Sequence, residues 1–147
     1  MIKRIFQISS QSIPASSVLL VLRLAVGIAF MYHGWGKIQN PFGWVPPEAP
    51  MQIPAVFQFL AAFSEFGGGI ALILGLLTPL NAFGMGITMS VAVYLHMIVL
   101  KDPYVNQKGG GSYELALIYL CIAILFFVVG PGKFSLDSII FGERRRQ

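Results

Sequence analysis

Residues 16–36 read SSVLLVLRLAVGIAFMYHGWG, and this stretch decides the fold of the chain. Its only basic residues are Arg23 and His33, and it contains no acidic residue. It matches the roughly 20 mostly apolar residues that an α-helix needs to cross a bilayer. The stretch therefore predicts a membrane-spanning helix.

Three further stretches of the same kind cover residues 55–77, 80–100 and 113–130. Hydrophobic residues make up 56% of the chain and charged residues 11%, whereas soluble domains carry about 25% charged residues. A chain of 147 residues cannot hide so much apolar surface from water, because small domains leave much of their surface exposed. We therefore predict an all-α membrane protein with a single domain, a bundle of four transmembrane helices.

The segments between these helices are rich in helix-breaking residues. Five prolines lie within residues 38–54 and three successive glycines within residues 101–112. Thr78 and Pro79 predict a tight turn between the second and third helices. After the fourth helix, residues 134–141 predict a short amphipathic segment at the membrane interface.

The basic residues divide unequally between the two sides of such a bundle. With four helices both termini share one side, which carries Lys3, Arg4, Lys133, Arg144, Arg145 and Arg146. The other side carries Lys37, Lys101 and Lys108, partly offset by Glu48 and Asp102. Since cytoplasmic loops carry the excess of Lys and Arg, we expect a multi-pass protein of the cell inner membrane with cytoplasmic termini.

Small residues recur at helix-packing intervals. Gly27 and Gly34 lie two turns apart in the first helix, and Gly67, Ala71 and Gly75 form a ridge in the second. Such ridges let helices approach closely in lipid. They predict a tightly packed bundle.

Arg23 and Glu65 are ionisable residues deep within predicted spans, where each costs about 2.5–3.5 kcal/mol. At about 1.5 Å per residue, they lie about 20 Å and 15 Å from the outer ends of their helices. These similar depths predict an Arg23–Glu65 ion pair between the first two helices. Such a pair would either only hold the two helices in register or also take part in a reaction.

His33, His96 and Glu114 fall within about 6 Å of the predicted outer boundary. With Glu65 below them, they predict a polar pocket open to the outer face. Two imidazoles and a carboxylate are suited to binding a divalent metal, relaying protons or binding a polar substrate. Alternatively, each group forms its own hydrogen bonds in the headgroup zone. No two histidines lie at ligand spacing on one helix, so we assign none of these residues as metal ligands.

Other classes of site lack their motifs. Cys121 is the only cysteine, which excludes an internal disulfide and a Cys-x-x-Cys redox pair. The three glycines at residues 67–69 lie within an apolar helix and do not form a phosphate-binding loop. The basic residues are dispersed or terminal, and we expect no nucleic-acid partner.

Several linked motifs resemble the DoxX family of small integral membrane proteins. They are LRLAVG (22–27), HGWGK (33–37), EFGGG (65–69), LGLLTP (74–79), YE (113–114) and GPGKFSLD (130–137). The resemblance covers about residues 18–140 and implies four membrane helices, quinone-linked oxidoreductase physiology and a link to stress response. The residues that match the family's polar positions are Arg23, His33, Lys37, Glu65 and Glu114.

Together these features predict a membrane component of a redox or quinone-linked system. Glu65 and His96 would handle protons for a bound quinone, and Arg23 would stabilise the charged form of Glu65. His33 or Glu114 would meet the reductant, with Lys37 lining the same pocket. No flavin, haem or iron–sulfur motif is present, so the electrons would come from a small reductant or a partner protein subunit.

Two other functions are compatible with the sequence. The chain would serve as a non-catalytic scaffold that anchors a partner enzyme through residues 134–141 and the Arg-rich C-terminus. Alternatively, it would transport a small solute, which four helices would support only as a homo-oligomer.

Overall fold

The computed structural model describes residues 11–142, which fold into five α-helices. They are α1 (Ile13–Gln39), α2 (Ala55–Leu74), α3 (Thr78–Tyr94), α4 (Glu114–Val129) and α5 (Leu136–Phe141). A single π-helical turn, Leu95–Val99, continues α3. The helices lie where the apolar stretches predict them, with ends shifted by a few residues.

Three helical segments are long and apolar enough to cross a membrane: Ile13–Gln39, Ala55–Leu74 and Thr78–Val99. The helix Glu114–Val129 is also apolar but has only 16 residues. A fourth crossing and the side of the termini therefore stay predictions. Of the basic residues behind the predicted orientation, Lys3, Arg4 and the three C-terminal arginines lie outside the described residues.

Local sequence sets the ends of the helices. The Ser12 hydroxyl accepts a hydrogen bond from Ala15 N at 3.3 Å and caps α1. Gly75 ends α2 in the left-handed conformation, with Leu76 N bonded to Ala71 O as in a Schellman motif.

The predicted turn at Thr78 and Pro79 is wrong, because these two residues open α3. Proline suits the first turn of a helix, where its missing N–H has no intrahelical partner. The turn lies immediately before them, at residues 75–77, and Leu77 within it has a positive φ of 48°.

The bundle has two unlike ends. The turn end holds residues 75–77 and α5, and the loop end holds the connections at residues 40–54 and 100–113. Between them, apolar side chains from the four longer helices form one core, which consists of Leu19, Val26, Phe30, Leu72, Ala82, Met85, Met89, Ala123 and Phe126.

The closest approach of α1 and α2 uses glycines. A Cβ added to Gly27 would lie 2.7 Å from Gly69 O, and one added to Gly34 would lie 2.5 Å from Phe66 N. The predicted roles of Gly27 and Gly34 in close packing are therefore confirmed. On α2 the contact differs from the predicted ridge, since a Cβ on Gly67 would meet only the ring of Phe63 from its own helix.

Residues 134–141 are not merely laid along an interface. Asp137 within α5 is fully buried, and its N–H donates to Gly75 O at 2.9 Å. The segment is therefore fastened to the turn between α2 and α3.

Candidate functional site

The last turn of α1 and the middle of α2 bring a buried ion pair together at the loop end. Lys37 Nζ lies 2.5 Å from Glu65 Oε1. The Glu65 side chain is 3% exposed and that of Lys37 is 28% exposed. Among residues 11–142, no group hydrogen-bonds to the buried Glu65 Oε2. A carboxylate oxygen is an acceptor, so this atom can accept a hydrogen bond from an O–H or N–H donor.

The proline-rich connection covers this ion pair. The Trp44 ring lies 4.7 Å from Lys37 Nζ, at cation–π distance. Trp44 Nε1 donates to Gln58 O at 2.9 Å. The buried Gln58 side chain accepts from Val45 N at 3.0 Å and donates to Ile53 O at 2.7 Å. One glutamine of α2 thus binds the connection at two points and keeps the indole against the ammonium group.

Arg23 lies elsewhere, and the predicted Arg23–Glu65 ion pair is wrong. Arg23 is 1% exposed and its Nη2 donates to Phe134 O at 2.5 Å, at the turn end. Its Nε and Nη1 have no hydrogen-bond partner within the described chain. The guanidinium group packs against Gly75, ten residues beyond Glu65, which is about 15 Å along α2.

Helix register explains this error. Similar depths for Arg23 and Glu65 require the outer ends of α1 and α2 to lie at the same level of the membrane. In the structure Gly34 packs against Phe66, and Gly27 lies beside Gly69 and Ile73. In this register Lys37 lies opposite Glu65, and Arg23 does not.

Asp137 forms the other half of the turn end. Its Oδ1 accepts from Leu77 N at 2.7 Å, and its Oδ2 accepts from Thr78 N at 2.8 Å. These N–H groups begin α3, where the positive end of the helix dipole favours a carboxylate. The sequence placed Asp137 only in a family motif and gave it no role.

His96 and Asp102 form a second pair at the loop end. His96 lies in the π-helical turn, and its Nδ1 is 2.7 Å from Asp102 Oδ2. Asp102 N also donates to His96 O at 2.8 Å. The sequence predicts Asp102 only as a balancing charge, because nothing in a loop sequence indicates that its chain folds back onto the helix.

His33 and Glu114 do not join these pairs. The exposed His33 ring meets Tyr119 edge-on, with ring centroids 6.1 Å apart. Glu114 begins α4 nine residues before the buried Ala123, and is therefore half a turn away from the core-facing side. Within residues 11–142, no three His, Cys, Asp or Glu side chains form a group that could hold a metal ion.

The polar residues therefore form two separate pairs at one end of the bundle. Each pair joins a carboxylate to a nitrogen of a lysine or histidine side chain. Their partners are side chains, which distinguishes them from the backbone-bound Asp137.

Comparison with known proteins gives a consistent relationship. The family model described as DoxX matches residues 18–97, which cover most of α1, all of α2 and α3, and most of the π-helical turn. Inner membrane protein YqjF of Escherichia coli is 31% identical over 125 residues, covering 82% of this chain and 90% of its own length.

Two further relatives cover similar shares. An uncharacterized protein of Haemophilus influenzae is 31% identical, covering 84% of this chain and 90% of its own length. The Bacillus subtilis protein named "Putative oxidoreductase CatD" is 26% identical, covering 86% of this chain and 89% of its own length. No solved structure matches the chain.

Proposed function

The chain belongs to the DoxX family of multi-pass inner-membrane proteins, and on this premise we propose that it is the membrane component of a quinone-linked redox system. Lys37 and Glu65 are the pair that contacts the quinone. The naming of one relative as an oxidoreductase supports a redox role.

The observation that carries the proposal is the unpartnered Oε2 of Glu65. A buried polar atom without a hydrogen bond costs about 1–3 kcal/mol, and more when it is charged. Use of the group by a ligand or a reaction is one reason for such a cost to persist in a protein. The Glu65 side chain is nearly inaccessible, so the cost applies in full.

A quinone fits the donors and acceptors of this pair. When bound, it supplies two-electron chemistry that takes up two protons on reduction to the quinol. The Lys37 ammonium group donates to a carbonyl oxygen, and ionised Glu65 accepts from a hydroxyl group. Ionised Glu65 therefore suits the quinol, whose hydroxyl group donates, and protonated Glu65 suits the quinone, whose carbonyl oxygen accepts.

Other residues contribute around this pair. Lys37 takes the part first expected of Arg23, because it is the cation that stabilises ionised Glu65. His96 exchanges protons at the loop end, and the exposed His33 offers a contact for the reductant. Glu114, half-buried at the start of α4, is a weaker candidate for that contact. The electrons come from a small reductant or a partner subunit.

The proposal includes a fourth membrane crossing by α4 with cytoplasmic termini. The helix Glu114–Val129 has no charge after its first residue, and its Tyr119 ring lies 5.0 Å from that of Phe30 in α1. The loop end then faces outward. A reporter enzyme that is active only in the cytoplasm, fused to Gln147, should be active, and an inactive but expressed fusion would contradict this orientation.

The test is to purify the protein from its own membranes, extract it with organic solvent and identify bound molecules by mass spectrometry. We expect roughly stoichiometric quinone. Glu65→Gln should lower the affinity for quinone by about tenfold to a hundredfold, the loss of one charged hydrogen bond, and should therefore lower the quinone content.

The matched control is Glu48→Gln, the same chemical change on an exposed loop residue. It should leave the quinone content unchanged. Equal quinone in the Glu65→Gln and wild-type proteins would refute the role of Glu65. Absence of quinone from both would refute the redox proposal and favour the scaffold for a partner enzyme.

A further inference from the structure

The π-helical turn at the end of α3 carries a histidine that is held by an aspartate from the following loop. π-Helical turns inside α-helices are rare and are frequent at functional sites. Here the turn Leu95–Val99 holds His96, and the chain then folds back so that Asp102 binds both the His96 ring and its carbonyl oxygen.

The fold-back is built at some cost. Lys101 has a positive φ of 56°, which is unfavourable for a residue with a side chain. The Asp102 carboxylate also packs so closely on Gly111 that an added Cβ there would overlap it. Asn106 Nδ2 donates to Gly111 O at 3.2 Å and closes the loop around this contact. Three features of the loop thus set the position of one carboxylate.

We infer that Asp102 is a positioning residue that fixes the tautomer of His96 and makes His96 Nε2 a proton-accepting site at the loop end of the bundle. An ionised carboxylate can only accept hydrogen bonds. The 2.7 Å contact therefore requires the proton of neutral His96 on Nδ1, which leaves the lone pair on Nε2.

The pair works as a proton relay. His96 Nε2 takes one proton from water, the ring becomes an imidazolium ion, and the same proton then passes to a base or a ligand oxygen. Asp102 stays ionised and stabilises the cation, as expected for a carboxylate behind a catalytic histidine. One third of the His96 side chain is exposed, which gives water access to the pair. The use of this relay for quinone rests on the proposed function, but the tautomer does not.

The test is nitrogen NMR on protein with ¹⁵N-labelled histidine in lipid nanodiscs, at a pH where both rings are neutral. The chain has two histidines, so His33 is an internal reference with its own resonances. We expect His96 to carry its proton on Nδ1 in the wild-type protein. A proton on Nε2 in the folded wild-type protein would overturn the inference without any variant.

Asp102→Asn provides the second measurement. An amide has nearly the same shape but can donate or accept, so it no longer selects one tautomer. We expect a mixture of His96 tautomers, and about a tenfold or greater loss of proton-coupled quinone turnover. Lys108→Gln, an exposed change in the same loop, should alter neither readout.

The outcomes separate this inference from the proposed function. An unchanged His96 tautomer in Asp102→Asn would overturn the positioning role even if quinone binding depends on Glu65. An Nδ1 proton that is lost in Asp102→Asn would support the positioning role even if no quinone is found.

Discussion

At the turn end, the carboxylate of Asp137 binds two backbone N–H groups, whereas at the loop end the carboxylate of Glu65 binds a side-chain ammonium group. Both carboxylates are almost fully buried. Arg23 follows the first pattern, since it donates to a backbone carbonyl, and His96 follows the second, since its ring meets a carboxylate. The carboxylates of Asp137 and Glu65 thus differ in the kind of partner and not in burial.

This difference separates structure from chemistry. Backbone N–H and C=O groups do not titrate, so the partners of a carboxylate that they hold keep their charge and their position. Side-chain partners can gain or lose protons, and the pair can change its state during a reaction. We therefore expect changes at the turn end to affect mainly folding, and changes at the loop end to affect function as well.

The largest effect should come from Asp137→Ala. This change leaves the N–H groups of Leu77 and Thr78 without an acceptor and removes the negative charge near Arg23. Loss of one partner from a buried charged cluster typically costs about 3–5 kcal/mol. The free energy of unfolding in mixed micelles would measure it.

Glu48→Ala is the control for Asp137→Ala, because it removes a carboxylate from an exposed loop position. It should change the stability by less than about 0.5 kcal/mol. A loss below about 1 kcal/mol for Asp137→Ala would show that the turn end does not depend on this carboxylate.

The helices could be predicted from the sequence because their cause is local. An apolar stretch long enough to cross a bilayer indicates a helix whatever surrounds it, as residues 16–36 do. Register between helices is not local, because it depends on where Gly34 meets Phe66. Helical rise alone carries no information about such a contact, and it therefore indicates the wrong cation as the partner of Glu65.

For the candidate site too, the residues that stand out locally could be predicted, and their partners could not. Lys37, Glu65 and His96 stand out as ionisable residues within or beside apolar stretches. Asp102 does not, because its role depends on the backbone turn at Lys101. Gln58 and Trp44 also went unrecognised as partners, since their hydrogen bond joins a loop to a helix across 14 residues.

The second prediction sharpens the comparison through energetic coupling. Lys37→Met leaves Glu65 buried and unpaired, which should cost about 2–3 kcal/mol, less than a fully buried pair because Lys37 is partly exposed. Glu65→Gln in the same chain should recover part of this loss. The coupling energy from the double-mutant cycle should be about 1–3 kcal/mol.

Arg23 supplies the reference cycle for this coupling. Arg23→Met and Glu65→Gln should be additive within about 0.5 kcal/mol, because these side chains belong to opposite ends of the bundle. Strong coupling between Arg23 and Glu65, with none between Lys37 and Glu65, would restore the ion pair that the sequence first predicted.

The smallest expected effect comes from a pair of glycines on the same turn of α1. A Cβ on Gly34 would lie 2.5 Å from Phe66 N, whereas one on Gly36 would meet nothing within 4 Å. Alanine gains about 1 kcal/mol over glycine in a helix, and overpacking costs about 1–3 kcal/mol. Gly34→Ala should therefore lower the stability by about 1 kcal/mol net, and Gly36→Ala should raise it or leave it unchanged. Because Gly34 lies one turn before Lys37, Gly34→Ala should also lower the quinone content. If Gly36→Ala lowered the stability as much as Gly34→Ala, close helix contact would not be what holds the loop end together.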